Sequence, residues 1–220
     1  MKIAVLGGSF NPLHNGHVVI ARSVCEDLGY DKVLFVPAFI PPHKQINCNV
    51  SAFERLQMVS LFCKSEGSGR FVCEPCEIER GGVSYTVDTL EYLSEKYRDI
   101  LEGKLAFILG EESAAEFHKW KNPEKIAELS DIVIARRGNP NKMKIVNGFE
   151  SANLPTGNFT GDFSVEFNAE SFGFPFIELK NSLVLVSSSE IRNLISGGAD
   201  WKPFVPSSVA NYIEKNHLYS

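Results

Sequence analysis

Two histidines stand close together after the first apolar run of the chain, in the stretch GGSFNPLHNGH at residues 7–17. Imidazole N–H groups donate hydrogen bonds to phosphate oxygens, and glycines let a ligand approach the backbone closely. Gly16 and His17 are predicted to begin a helix, whose N-terminus offers unpaired N–H groups and a partial positive charge. The stretch therefore predicts a site where His14 and His17 bind one phosphate group. Two alternatives stay open: capping or surface histidines, and a metal pair that has no evident third ligand.

A second candidate motif is SSSEIR at residues 187–192. Ser187 and Glu190 have the spacing of a capping box, which predicts another helix start. Ser188 and Ser189 add hydroxyl donors, and Arg192 carries a planar fork suited to phosphate oxygens. Alone, a capped helix with one arginine is mostly structural. If both motifs meet, two helix N-termini and an arginine predict a polyphosphate site.

The elements around these motifs alternate between strands and helices, which predicts an α/β fold with helices on both faces of a parallel sheet. Such sheets bind ligands beyond the carboxyl ends of their strands, at a topological switch point. A capping-box pattern at Ser113–Glu116 predicts a further helix start, and an irregular insert is predicted near residues 139–175. Strands are predicted at 2–7, 32–37, 70–80 (an edge strand, because of Pro75), 104–110, 131–137 and 175–187, and helices at 16–28, 51–65, 84–97, 187–198 and 205–219.

Composition limits the classes of protein. A chain of 220 residues, 44% hydrophobic, fits one domain over residues 1–220. The net charge of −5 argues against broad nucleic-acid binding. No apolar run reaches the ~18–20 residues of a membrane span, and the N-terminus lacks the features of a signal peptide. We therefore expect a cytoplasmic protein with no membrane or nucleic-acid partner, and its oligomeric state, a homo-oligomer included, stays open.

The five cysteines include a CxxC pair at Cys73 and Cys76. This spacing suits a redox pair or half of a zinc site, but no second ligand pair with similar spacing exists. An odd number of cysteines also argues against a disulfide framework. The sequence therefore favours plain cysteines on a strand in a reducing cytoplasm.

The first motif resembles the GGxFDPxHxGH signature of the nucleotidyltransferase superfamily that shares its fold with class I aminoacyl-tRNA synthetases, and SSSEIR resembles the distal SSTxIR signature. Outside 139–175, further segments resemble bacterial nicotinate-mononucleotide adenylyltransferases: PPHK, SYTVDTL, FILGEESAAEFHKW, ARRG and YIEKNHLY. The resemblance implies a Rossmann-like, doubly wound nucleotidyltransferase fold. It also implies that ATP, with Mg²⁺, and nicotinate mononucleotide give deamido-NAD and pyrophosphate.

Residue types and this resemblance together suggest a role for each site residue. The mononucleotide phosphate is already anionic, so the reaction needs positioning and charge stabilisation rather than a general base. The predicted catalytic residues are His14, His17 and Arg192, with His17 at the α-phosphate and no protein-bound metal. The predicted ATP-binding residues are Gly8, Ser9, Phe10, His14, His17, Gly110, Glu112, Ser187, Ser188, Ser189, Ile191 and Arg192. The predicted mononucleotide-binding residues are Gly8, Ser9, Lys44, Ser84, Tyr85, Thr86, Trp120 and Arg137, of which Lys44 and Arg137 would neutralise charge between the substrates.

Selectivity for the acid over the amide is expected from the stretch GGVSYTVDTL. Gly81 and Gly82 free the backbone before a helix N-terminus, where a carboxylate would accept hydrogen bonds. Trp120 would stack on the pyridinium ring. The alternative reading makes Thr86 only a helix cap and Trp120 only a core residue.

Three positions depart from the family pattern. Asn11 replaces an aspartate, Glu111-Glu112 stands where the family has x-Asp after Gly110, and Lys121 replaces an aromatic residue after Trp120. Rival interpretations are an adenylyltransferase preferring nicotinamide mononucleotide, a phosphopantetheine adenylyltransferase and a non-catalytic nucleotide sensor. The sensor would be expected to have lost a phosphate-contacting residue, whereas both histidines of the first motif and the arginine of the second are present.

Overall fold

The computed structural model describes residues 1–42, 50–136, 167–182, 184 and 186–220. Within these residues, six strands form one parallel sheet in the order β3-β2-β1-β4-β5-β6. The order reverses between β1 and β4, which is where doubly wound sheets open a ligand crevice. The strands are β1 (Ile3–Gly8), β2 (Lys32–Pro37), β3 (Phe71–Cys73), β4 (Leu105–Gly110), β5 (Ser130–Ala135) and β6 (Phe176–Leu179).

Helices cover both faces of the sheet, as the strands' apolar character requires. Along β1, Ala4 and Leu6 lie in one buried cluster while Ile3 and Val5 lie in the other. The first cluster includes residues of α1 (Asn15–Asp27), α2 (Ala52–Glu66), α7 (Ser188–Ser196) and α8 (Ser207–Lys215). The second includes residues of α3 (Cys76–Arg80), α4 (Thr86–Lys96), α5 (Glu111–Ala115) and α6 (Pro123–Leu129). The predicted Rossmann-like, doubly wound fold is therefore confirmed.

Three predicted elements are wrong in extent or type. The strand predicted over 70–80 ends at Cys73, because Pro75 lacks an N–H and caps the short helix α3 instead. Of the strand predicted over 175–187, the described residues form only β6. No helix begins at Ser113, since α5 starts at Glu111 directly after β4, with two glutamates in its first turn where the helix dipole favours them.

Helix α6 was not predicted, although Pro123 at its first position and Glu124 after it are typical start signals. The predicted capping boxes at Ser51 and Ser187 are both present. Most of the insert predicted near 139–175 lies outside the described residues. Its last part, from 167 onward, contains a short 3-10 helix at Ala169–Ser171. Among the described residues no helix is long and apolar enough to cross a membrane.

Candidate active site

The first motif forms the loop between β1 and α1. His14 is the N-cap residue of α1, and its backbone N–H donates to Nδ1 of His17 over 3.2 Å. The two ring centroids are 3.8 Å apart, and Phe10 meets the His17 ring edge-on at 5.0 Å. A backbone N–H can only donate, so Nδ1 is an acceptor and the proton of neutral His17 sits on Nε2. Local geometry thus makes Nε2 the donor atom of this imidazole.

Gly16 has no side chain, and this leaves the space that the His14 ring occupies. A Cβ atom at Gly16 would lie 3.0 Å from both Cε1 and Nδ1 of His14, closer than ordinary contact. His14 is buried, so its ring has little room to move aside. The glycine between the histidines is explained by this close approach.

Gly16→Ala is expected to leave stability unchanged or slightly lowered, because crowding of the buried His14 ring offsets the helix preference of alanine over glycine, which is up to about 1 kcal/mol. The added methyl displaces the His14 ring by a few tenths of an ångström, and turnover should fall about tenfold. Thermal unfolding and steady-state kinetics on the same preparation check this. Turnover equal to that of the unsubstituted protein would show that the His14 position does not matter.

The second motif packs directly against the first. Oγ of Ser188 donates to the carbonyl of Pro12 at 2.9 Å. Arg192 donates from Nη1 to the carbonyl of Asn11 at 2.7 Å and from Nη2 to Oγ of Ser189 at 3.0 Å. The N-termini of α1 and α7 therefore meet at one loop, as the sequence predicts.

Ser187 and Ile191 fix α7 in this place. Ser187 caps the helix together with Glu190, and Ile191 is fully buried in the core. The buried side chain of Ile191 therefore anchors α7 to the core and is not available to contact a ligand. That these residues bind ATP stays a prediction.

The switch point of the sheet lies beside this loop. Val5 pairs with Phe107, and continuing that register puts Gly8 opposite Gly110 at the carboxyl ends of β1 and β4. Gly110 is the N-cap residue of α5, and Glu112 lies exposed in its first turn. The ATP-binding residues predicted from both strands thus sit at one edge, although the ribose role of Glu112 stays a prediction.

Three of the residues predicted to hold the mononucleotide, Ser84, Tyr85 and Thr86, lie at the start of α4. Gly81 and Gly82 both have φ near +70°, a region that favours glycine, and Tyr85 is the N-cap residue without a side-chain cap. Trp120 is half-buried against Phe107 and Phe117.

Lys121 and Ser84 both make side-chain contacts near the start of α4, and the binding role predicted for Ser84 stays a prediction. Nζ of Lys121 lies 4.5 Å from the ring centroid of Tyr85 and 3.0 Å from both carboxylate oxygens of Asp88. Lys121 therefore places a cation at the position where the family pattern has an aromatic residue. The buried Ser84 accepts the N–H of Phe39 at 3.0 Å, so its hydroxyl ties two loops together.

Lys44 and Arg137, predicted to neutralise charge between the substrates, lie outside the described residues. The residue before Arg137 is held firmly: the side-chain amide of Asn181 accepts the N–H of Arg136 at 2.9 Å and donates to its carbonyl at 3.0 Å. Asn181 is buried and continues the strand-like pairing beyond β5.

Several buried polar residues near the site were not found by sequence reasoning. Arg55 is fully buried and donates to three backbone carbonyls. The carboxylate of Glu77 accepts from the Thr89 hydroxyl at 2.7 Å, and burial raises its pKa. The Tyr219 hydroxyl, next to the C-terminus, donates to Oδ1 of Asn11 at 2.7 Å, which an amide oxygen at this position can accept. The only sequence signal was the YIEKNHLY ending.

The CxxC cysteines do not share a strand. Cys73 ends β3 and Cys76 begins α3, and burial raises the pKa of each thiol to about 12. Thiols with such a pKa are protonated and unreactive at neutral pH. Among the described residues, no three His, Cys, Asp or Glu side chains group to hold a metal ion.

A parallel sheet with two helix N-termini, imidazoles and an arginine at its switch point defines a nucleotide-binding α/β domain of the Rossmann-like class. Comparison with known proteins gives the family. The model of the Cytidylyltransferase-like family matches residues 5–194, and the chain belongs to that family.

Full-length relatives agree with this family. The chain is 36% identical over 219 residues to a protein of Treponema pallidum described as a "Probable nicotinate-nucleotide adenylyltransferase", which covers 100% of this chain and 99% of that protein. A protein of Borrelia garinii with the same description is 32% identical, covering 100% and 95%.

A solved structure also matches over nearly the whole chain. The nicotinic acid mononucleotide adenylyltransferase of Plasmodium falciparum, complexed with NaAD, has a TM-score of 0.69 at 19% identity and covers 99% of this chain and 97% of its own. At this identity the match supports the fold, which agrees with the sequence expectation.

Proposed function

We propose that this nucleotidyltransferase transfers the adenylyl group of ATP to nicotinate mononucleotide, giving deamido-NAD and pyrophosphate in NAD biosynthesis. The observation that carries the proposal is the docking of α7 onto the first-motif loop through Arg192 and Ser188. This contact gathers two helix N-termini at one point, which suits a triphosphate. The descriptions of the relatives over the whole chain length support the choice of acceptor.

The reaction forms one bond and breaks one. A phosphate oxygen of the mononucleotide attacks the α-phosphorus of ATP, and the bond from that phosphorus to the bridging oxygen of pyrophosphate breaks. Nε2–H of His17 stabilises charge on the α-phosphate, with about 3–4 kcal/mol expected from one preorganised donor. His14 supports the same phosphate. Ser189 and Arg192 hold the leaving pyrophosphate together with the backbone N–H of Ser188, because the Ser188 hydroxyl already donates to Pro12.

Mg²⁺ enters as part of the ATP substrate. The donors gathered here are imidazoles, hydroxyls and a guanidinium, which suit phosphate oxygens rather than a cation. In the part of the chain that the structure describes, no three His, Cys, Asp or Glu side chains lie together where they could hold a metal ion. Removal of Mg²⁺ with a chelator should therefore abolish transfer by removing the reactive form of ATP. A cytoplasmic location and the oligomeric state stay predictions.

Pyrophosphate release tests the function directly. Purified protein with MgATP is given nicotinate mononucleotide, nicotinamide mononucleotide or phosphopantetheine, with a reaction lacking acceptor as the control. We expect release only or mainly with nicotinate mononucleotide, and a product with the mass of deamido-NAD. Release mainly with phosphopantetheine would contradict the acceptor. ATP binding without release in any reaction would point to the non-catalytic sensor.

Arg192→Lys is expected to lower kcat/KM for ATP about 10- to 100-fold. A single ammonium cannot reproduce the planar fork that would bind phosphate oxygens of ATP, and a charge-assisted hydrogen bond contributes about 1.5–3 kcal/mol. The KM for the mononucleotide should change little. Equal losses for both substrates would show that Arg192 acts only by holding the loop.

A further inference from the structure

Arg55 is a charged side chain enclosed inside the protein. It lies in the first turns of α2, and only 1% of it is exposed. Its guanidinium donates to the carbonyls of Ser9 at 2.5 Å, Ala38 at 2.6 Å and Phe39 at 3.1 Å. Burying a charge is costly unless it is hydrogen-bonded, and these three acceptors supply charge-assisted bonds. The Arg55 guanidinium therefore holds these three carbonyl groups at fixed distances and angles from one another.

The three carbonyls belong to two different loops. Ser9 follows β1, whereas Ala38 and Phe39 follow β2, the neighbouring parallel strand. The N–H of Ala38 also donates to the carbonyl of Gly8 at 2.9 Å. One rigid guanidinium thus fixes the spacing between the loop predicted to contact ATP and the loop beyond β2.

The contacts continue from the second loop to the start of α4. The N–H of Phe39 donates to Oγ of Ser84 at 3.0 Å, and the N–H of Ser84 donates to the carbonyl of Ile40 at 2.9 Å. The carboxylate of Glu77 accepts a hydrogen bond from the hydroxyl of Thr89, within α4, at 2.7 Å, and the nearby Ser84 hydroxyl opposes the rise in the Glu77 pKa that burial causes. A continuous set of polar contacts therefore links the loop predicted to bind ATP to the start of α4, where the mononucleotide is predicted to bind.

We propose that Arg55 is a positioning residue that holds the two substrate-binding halves in register, so that the mononucleotide phosphate meets the α-phosphorus of ATP. This inference rests on the proposed function, because it needs two substrates that react with each other. Arg55 contacts backbone rather than substrate. Its loss should therefore impair the step in which both substrates must be aligned, and should affect the binding of either one alone much less.

Arg55→Lys keeps the charge but loses the fork that reaches two loops. We expect the single-turnover rate with both substrates saturating to fall about 10- to 100-fold. The Kd of a non-hydrolysable ATP analogue alone, and of the mononucleotide alone, should stay within about threefold of the unsubstituted protein. A residue with a merely structural role would weaken both Kd values and lower the thermal midpoint without this selective loss of rate.

Arg70→Lys is the matched control. Arg70 also donates to two backbone carbonyls, those of Cys25 and Tyr30, but it is exposed and precedes β3 at the amino ends of the strands, away from the site at their carboxyl ends. Its replacement should leave the rate and both Kd values unchanged. An Arg55→Lys rate within twofold of the unsubstituted protein, or a rate loss accompanied by equal losses in both Kd values, would overturn the proposal.

Ser84→Ala tests the same network without removing a buried charge, and decides the matter if Arg55→Lys does not fold. We expect a smaller rate loss, about 3- to 10-fold, that is not additive with that of Arg55→Lys because both act on Phe39. An unchanged rate would overturn the proposal.

All measurements use the acceptor identified by pyrophosphate release. An unsubstituted protein that turns over no acceptor contradicts the proposed function, whereas equal rates in the variants contradict only this inference.

Discussion

Replacing His17 with alanine is expected to lower kcat by about 10²–10³, the usual effect of removing one preorganised donor to a developing charge. The ring sits in the first turn of α1, packed against His14 and Phe10, so its donor atom is already placed before the substrate arrives. Because the interaction strengthens in the transition state, kcat should fall more than KM for ATP rises. A turnover close to that of the unsubstituted protein would remove His17 from the mechanism.

Two further substitutions at His17 separate the effect of its Nε2 donor from the effect of its Nδ1 acceptor, which bonds the backbone of His14. Asparagine can keep the acceptor that receives the N–H of His14, but it has no donor at the Nε2 position. Glutamine can place a donor near Nε2 but gives up the contact with His14. We expect His17→Asn to fold normally with alanine-like turnover, and His17→Gln to retain part of the activity. Circular dichroism melting of each variant serves as the control for folding.

The order of elements was readable from the sequence because buried parallel strands and amphipathic helices have distinct periods. The failures are local. Pro75 marks a poor strand position in the sequence, but a helix of only five residues that starts at Cys76 has no period to detect. Helix α5 begins at Glu111 without a capping side chain, whereas the sequence shows a capping-box pattern two residues later, at Ser113.

The candidate site was predictable to the extent that its residues act through local motifs. His14, His17, Ser188 and Arg192 lie in short segments whose caps and glycines can be read directly. Arg55 could not be assigned in this way, because its role depends on carbonyls from two loops that only the folded sheet brings together. Contacts between loops that are far apart in the sequence produce no regular spacing of residues, so the sequence alone does not reveal them.

The acceptor preference should show the largest effect, with kcat/KM about 10⁴-fold higher for nicotinate than for nicotinamide mononucleotide. A site built from donors is left with a mismatched pair when an amide presents its N–H₂ group, and such buried mismatches cost about this factor. The start of α4 provides donors, because Tyr85 brings no side-chain cap and the first backbone N–H groups of a helix have no partner within it. The helix dipole adds a positive potential that favours a carboxylate.

Lys121 and Asp88 modify this potential. Asp88 stands in the first turn of α4, where its charge would repel a carboxylate, and the ion pair with Lys121 offsets it. Both side chains are partly exposed, so the pair itself contributes little energy. Lys121→Met should therefore narrow the acid-to-amide ratio by less than tenfold. Lys125→Met, which breaks an exposed pair with Glu128 on α6, is the matched control and should leave the ratio unchanged.

Thr86→Val tests the donor side of the same site. Valine has nearly the shape of threonine but no hydroxyl, so it removes one donor while the backbone N–H groups of α4 remain. We expect kcat/KM for nicotinate mononucleotide to fall about tenfold, as for one lost hydrogen bond to a charged group, and the value for the amide to change less. Measuring kcat/KM for both mononucleotides with each variant decides the matter. Equal values in the unsubstituted protein, or a preference for the amide, would refute acid selectivity, because the donors at α4 would then not face the pyridine substituent.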